Sequence, residues 1–337
     1  MANLKKIIKV TAPLLVGVLL LWLLYRKMDF RSLQKTLTED ADWGILIFAS
    51  LFGTLGNFFR GWRWSILLES LKKVPKLFGN AGLTVQGNYA VNMLLPRLGE
   101  IWRCSTMKVY TGIPFSKLLG TVFVDRGMDL VVAAILAVMA AMINLPFFIN
   151  FFRQNPQFVG KIEALYSSPL FWIVLLLGSG LFAFVIYWFY FKPKKHGKAE
   201  KGRVRTSVDN LWEGLKTIFT MEKKWSFLLH SALIWVSYFL QFYLTFFAFD
   251  FMSGLGWQEA LLTFVLITFA VAAPVQGGIG AWHFMVIFSL VFFGVSRTDA
   301  SSFALIVHTL QTLWTTLVGV LCIALLPVYN REKRAQA

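Results

Sequence analysis

Charge is scarce in this chain: Asp, Glu, Lys and Arg make up 15% of its 337 residues, well under the roughly 25% of soluble domains. Two or three soluble domains would fit the length, but the polar surface they need is missing. Cysteine is nearly absent. Cys104 and Cys322 lie far apart, in or beside apolar segments, so a disulfide framework or cysteine-rich metal site is unsupported and both read as buried thiols. The sequence also lacks H-E-x-x-H, G-x-S-x-G, a Walker loop and any clustered His/Asp metal spacing. An ATP-driven pump and the common hydrolases are therefore not indicated, and neither is a metal or a cofactor.

What the chain holds instead is apolar: 57% of its residues are hydrophobic and its mean hydropathy is +0.63. Runs of about 20 apolar residues, the length that crosses a bilayer core as a helix, recur from end to end. The fold is read as all-α, a polytopic integral membrane protein with a single transmembrane domain over 1–337. Six segments are long and apolar enough to span, at about 7–25, 43–60, 117–145, 168–191, 225–249 and 303–327. MANLKKIIKV has the basic start of a signal sequence, but no small-residue cleavage site follows the apolar stretch through Tyr25, so it reads as a retained first span. Two further regions, 77–116 and 258–294, are hydrophobic but broken. Asn88, Asn92, Pro96, Gly99 and Glu100 interrupt the first, and Pro274, Gly277, Gly278 and Gly280 the second. Each break frees backbone groups that lipid cannot satisfy, so both belong against protein or beside a water-filled cavity.

Lys and Arg number 33 against 17 Asp and Glu, a formal charge of +16. A nucleic-acid protein would show a polar basic face or a soluble recognition module, and none exists. The excess reads as topology, because 25 of the 33 fall at the amino end, after the second span, around the first broken region, in the 192–224 loop and at the tail. The positive-inside rule then places both termini in the cytoplasm. With 117–145 and 303–327 each crossing once, region 77–116 enters and leaves from inside and 258–294 from outside, as two opposed re-entrant hairpins. Each half reads span, span, hairpin, span, the first over 1–145 and the second, inverted, over 168–327. P-x-x-G-x-I recurs at Pro96–Ile101 and Pro274–Ile279, equivalent points of the two halves, and such inverted repeats hold a midplane site in many transporters.

Within the apolar segments, charge is concentrated in VFVDRGMDLVV, where Asp125 and Asp129 share a helix face and Arg126 can pair with Asp129. Each charge at membrane depth costs on the order of 2.5–3.5 kcal/mol, so the group is either functional or a self-neutralising packing device. PRLGEIWR puts Arg97, Glu100 and Arg103 at the first break, where a helix N-terminus opened by Gly99 and the guanidiniums suit a phosphate, unless they are only snorkelling side chains of a cytoplasmic turn. Across the repeat, Gln276, Gly277, Gly278 and His283 offer amides and an imidazole, and His308 and Gln311 lie one turn apart on the last span. Arg60 and Arg63, alternating with Trp62 and Trp64, read as a plain interfacial anchor. The 206–219 segment reads as an amphipathic helix on the inner leaflet.

The motifs NMLLPRLGEIWRC, TGIPFSKLLGTVFVDRGMDLV and APVQGGIGAWHF together resemble the lysylphosphatidylglycerol synthase transmembrane-region family of flippase-like proteins. The resemblance implies a multi-pass protein of the bacterial inner membrane that moves lipids between leaflets. It does not extend to the synthase activity, since the aminoacyltransferase domain that follows in such synthases has no counterpart in this sequence. The expectation is a translocase of a phospholipid, aminolipid or isoprenoid-linked lipid, more a transporter than an enzyme. Arg97, Arg103 and Arg126 would hold the phosphate, Glu100, Asp125 and Asp129 would balance charge, and Asn92, Gln276, Gly277, Gly278 and His283 would complete the substrate site. Its partners would be membrane lipids with an anionic headgroup and not nucleic acid, and a homodimer stays open. A lipid-headgroup-modifying enzyme using Asp125, His283 or His308, and a secondary transporter of a small anionic solute, are the alternatives.

Overall fold

The computed structural model describes residues 19, 21–26, 30–94, 98–145, 203–271 and 276–331, with scattered positions between 149 and 176. The chain divides into two compact units, Met1–Ala140 with Val204–Ala337, and Ala141–Arg203. The main helices of the larger unit are α1 (Trp43–Glu69), α2 (Leu77–Leu94), α3 (Leu98–Thr111), α4 (Phe115–Ile143), α5 (Arg203–Leu215), α6 (Lys224–Leu244), α7 (Trp257–Val271), α8 (Ala281–Phe292) and α9 (Arg297–Tyr329). An order of long, short, short, long helix therefore occurs twice, in α1–α4 and in α6–α9.

Local chemistry sets the ends of these helices. Asp42 caps α1 by accepting from the Ile45 amide at 3.1 Å, and Ser296 caps α9 through the Asp299 amide at 3.1 Å, each satisfying a donor that the first turn leaves open. Between α7 and α8 the chain turns through Gln276–Gly280, where Gly277 (φ 59°), Gly278 (φ 73°) and Gly280 (φ 84°) take left-handed conformations that only glycine adopts without strain. Pro96, Arg97 and Pro274, at the two breaks, lie outside the described residues.

Among the described residues, α1, α4, α6 with its continuation to Ala248, and α9 are long and apolar enough to cross a membrane. The expected span 168–191 lies almost wholly outside the described residues, as does most of 7–25. Leu130 on α4 is 73% exposed and Leu313 on α9 63%. Water tolerates no such extended apolar faces on a monomer, whereas lipid does. Helix α1 runs on to Glu69, past the span end expected at residue 60, and packs between α6 and α2. At its crossing with α2, a Cβ on Gly61 would lie 2.5 Å from Gly82 Cα, so only glycine lets the backbones meet. Helix α9 packs on α2 and α8, and Met93 near the end of α2 reaches the α7–α8 turn, 3.3 Å from where a Cβ on Gly277 would stand.

Two apolar cores result, one gathered around Trp64, Val85, Met107 and Leu118 and one around Phe242, Phe249, Val286 and Phe303. Cys104 and Cys322 are free and buried. The 206–219 segment is helical but not as one helix, since α5 ends at Leu215 and a separate turn of helix covers Thr217–Thr220, and it does not simply rest on lipid. Gly214 of α5 lies against Gly120 of α4 so closely that a Cβ on Gly214 would be 2.2 Å from the Lys117 carbonyl oxygen, and Lys117 pairs with Glu213 at 2.7 Å.

Candidate functional site

The charges expected at membrane depth converge in one place, together with Arg60 and Arg63, whose spacing with Trp62 and Trp64 suggests only an anchor. Asp125 of α4 is fully buried, and Arg63 of α1 reaches it through Nε (2.9 Å) and Nη2 (2.6 Å), both on Oδ1. Arg63 Nη2 also donates to the Asp125 carbonyl (3.0 Å) and to Asp129 Oδ1 (2.8 Å), and Nη1 donates to Ser231 Oγ of α6 (3.2 Å). Arg60, one turn earlier, pairs with Asp129 and stands 3.8 Å from Asp125. The other side of Asp125 belongs to Arg103 of α3, whose Nη2 lies 3.3 Å from Oδ2. Arg126 bonds Glu100 at 2.5 Å and approaches Asp129 at 3.7 Å. Trp64 lies beneath the Arg103 guanidinium at 4.7 Å and Phe227 beneath that of Arg63 at 5.6 Å, orientations that add cation–π attraction.

Among the described residues four arginines thus face three carboxylates, and burial falls off across the group: Arg63, Arg103 and Asp125 are wholly enclosed, Glu100 is 22% exposed and Arg126 40%. Arg60 Nε also donates to Tyr238 Oη at 3.4 Å. From there a polar chain continues, since Tyr238 donates to Asn57 Oδ1 (2.6 Å), Asn57 to Gln86 Oε1 (3.4 Å) and Gln86 to the Thr54 carbonyl (2.7 Å). Asn92 has a local task, its Oδ1 accepting from the Gly99 amide at 2.8 Å. That contact occupies one of the helix N-terminal donors that would otherwise suit an anion.

The second break gathers a different set. His308 Nε2 donates to the Gly277 carbonyl at 3.1 Å, the Gly280 amide points at His283 Nδ1 at 3.4 Å, and the two imidazoles lie 4.4 Å apart. Gln276 opens this turn and Gly278 closes its helical part. Among the described residues no bond joins His283 or these glycines to the arginine cluster; α2 runs between the two sets, carrying Met93 to Gly277. Among the described residues no group of three or more His, Cys, Asp or Glu is placed to hold a metal.

A sequence profile described as the lysylphosphatidylglycerol synthase TM region matches residues 10–319. The chain belongs to this family. No curated protein and no solved structure shows a significant match. Membership in the lysylphosphatidylglycerol synthase transmembrane-region family ties this membrane-embedded protein to lipid metabolism or translocation, and the matched range contains every residue of the cluster. The reading of Arg60 and Arg63 as an interfacial anchor is corrected: they are 5% and 0% exposed and are the main partners of the two aspartates. A second span that ends at residue 60 puts both at or beyond its end, which hides their role. A signal was present, however, since arginines three apart on one apolar helix match carboxylates four apart on another.

Proposed function

We propose that this chain is a lipid translocase that passes a phosphate-bearing headgroup between leaflets while the acyl chains stay in the bilayer. The observation that carries this reading is the charge balance of the cluster among the described residues, four guanidiniums against three carboxylates, held between α3 and the helices α1 and α4, both apolar enough to cross a membrane. An uncompensated charge there is costly, and a surplus guanidinium retained against that cost favours an anionic visitor. Phosphate suits it, because the planar fork of Arg binds phosphate oxygens in pairs. The half-exposed Glu100–Arg126 pair marks the edge from which a headgroup enters. In this reading α2–α3 dips in from the cytoplasm and α7–α8 from outside, as inverted halves, with Met93 of α2 against Gly277 of the α7–α8 turn, so that rocking of one half against the other exposes the cluster to each leaflet in turn. Support for lipid over a soluble anion comes from the family and from the apolar face of α4, the helix that carries Asp125, Arg126 and Asp129.

The test is reconstitution of the purified protein in proteoliposomes with a fluorescent phosphatidylglycerol, scoring the outer-leaflet fraction by dithionite quenching. Wild type is expected to speed exchange, and Arg126→Ala and Glu100→Ala, still monodisperse and folded, to slow it by about ten-fold, the worth of one charge-assisted contact. Equal rates in wild type and both variants would sink the proposal.

A further inference from the structure

We infer that Arg103 and Asn88, behind the Glu100–Arg126 pair, form the subsite that takes the phosphate group itself, and that the Glu100 carboxylate opposes that anion until it gives way. For its lipid source this rests on the translocase reading; its chemistry stands on the donor inventory alone. Arg63 has committed all three of its nitrogens to Asp125, Asp129 and Ser231. Arg103 is just as buried, yet only Nη2 has an acceptor; Nε and Nη1 have none among the described residues. Asn88 of α2 is 1% exposed, and neither its amide oxygen nor its amide nitrogen has a partner there. The two face each other by register. Asn92 meets Gly99 and Thr84 meets Met107 across the α2–α3 pair, which places Asn88 opposite Arg103. Consistently, Asn88 Oδ1 would stand 2.5 Å from a Cβ on Gly99, one turn before Arg103.

Buried donors are almost always paired, so a guanidinium edge and a carboxamide left open on facing turns of α2 and α3 point to a ligand that brings its own acceptors. A phosphomonoester or phosphodiester does so: two oxygens for Nε and Nη1 of Arg103, and one for the Asn88 amide. Glu100 Oε2 is also buried and unpartnered, three residues from Arg103 on the same helix, so its carboxylate competes with an incoming phosphate. Entry of phosphate then means that Glu100 gives way, and the Glu100–Arg126 pair acts as a latch.

The experiment titrates the purified full-length chain by calorimetry with inorganic phosphate and with a short-chain phosphatidylglycerol. Asn88→Ala breaks no hydrogen bond to a described residue, so its melting temperature should match wild type, while its affinity for the phosphate-bearing ligand should fall about ten-fold. Glu100→Gln should bind more tightly than wild type, because the competing charge is gone. Binding of the lipid alone identifies a headgroup site, and binding of both identifies the shared phosphate chemistry; either result supports the subsite. No binding to wild type overturns it, as does full affinity in Asn88→Ala or weaker binding in Glu100→Gln. The two proposals fail separately. Unchanged binding in Asn88→Ala with slowed exchange in Arg126→Ala removes the subsite and keeps the translocase, whereas Asn88-dependent binding with no lipid exchange in any form does the reverse.

Discussion

Arg63 and Arg103 occupy similar settings, both enclosed, both bonded to Asp125 and both stacked on an aromatic ring. What separates them is the number of nitrogens left over, and that assigns them different work: Arg63 ties α1 to α4 and α6, while Arg103 keeps an edge open. Asp125 is the counter-ion for both. Replacing it with Asn leaves buried guanidiniums without their charge partner, and breaking a buried pair from one side costs about 3–5 kcal/mol. Asp125→Asn is therefore expected to lower the melting temperature in detergent sharply or to prevent accumulation of folded protein. Glu100→Gln acts on a pair that is 22% and 40% exposed, where loss of the ion pair costs at most about 1 kcal/mol. Its melting temperature should stay near wild type, and a collapse like that of Asp125→Asn would mean that Glu100 is structural.

The helices were legible where a single stretch of chain carries the information. Apolar runs located α1, α4, α6 and α9, and the Pro and Gly clusters located the α2–α3 and α7–α8 interruptions, because backbone groups freed in lipid leave a local mark. The limits of α1 were not legible. Arg60 and Arg63 look like the end of a span until the aspartates of α4 are seen to neutralise them, and that requires two helices far apart in sequence. The same holds for α5, whose amphipathic pattern suggests a leaflet surface while Gly214 docks it on Gly120. A leucine at position 214 cannot fit against the Lys117 carbonyl. Gly214→Leu is expected to release α5 from α4, seen as faster protease cleavage within 203–220 and loss of a disulfide engineered between positions 117 and 213. Cleavage at the wild-type rate would show that the docking is dispensable.

For the whole molecule, the expected orientation rests on charge. Twenty-five of the 33 basic residues fall in the segments that the positive-inside rule places toward the cytoplasm, 22 of them apart from the clustered Arg60, Arg63 and Arg103, so a cysteine introduced at residue 2 or 336, in a Cys104→Ser, Cys322→Ser background, should react with a membrane-impermeant maleimide only after cells are opened. Labelling in intact cells at either position would reverse the expected topology and with it the directions proposed for the α2–α3 and α7–α8 segments. By itself, the sequence determined the membrane class, the order of long and broken segments, the family motifs and the presence of charge inside α4, since each depends on composition or spacing within one segment. Only the tertiary structure decided which charges meet. Pairing Arg60 and Arg63 with Asp125 and Asp129, bringing Arg103 to the same carboxylate, and leaving Asn88 and the edge of Arg103 open all depend on how α1, α2, α3 and α4 pack. Ion pairs and unsatisfied donors are properties of distance, and no spacing along one helix encodes the distance to another.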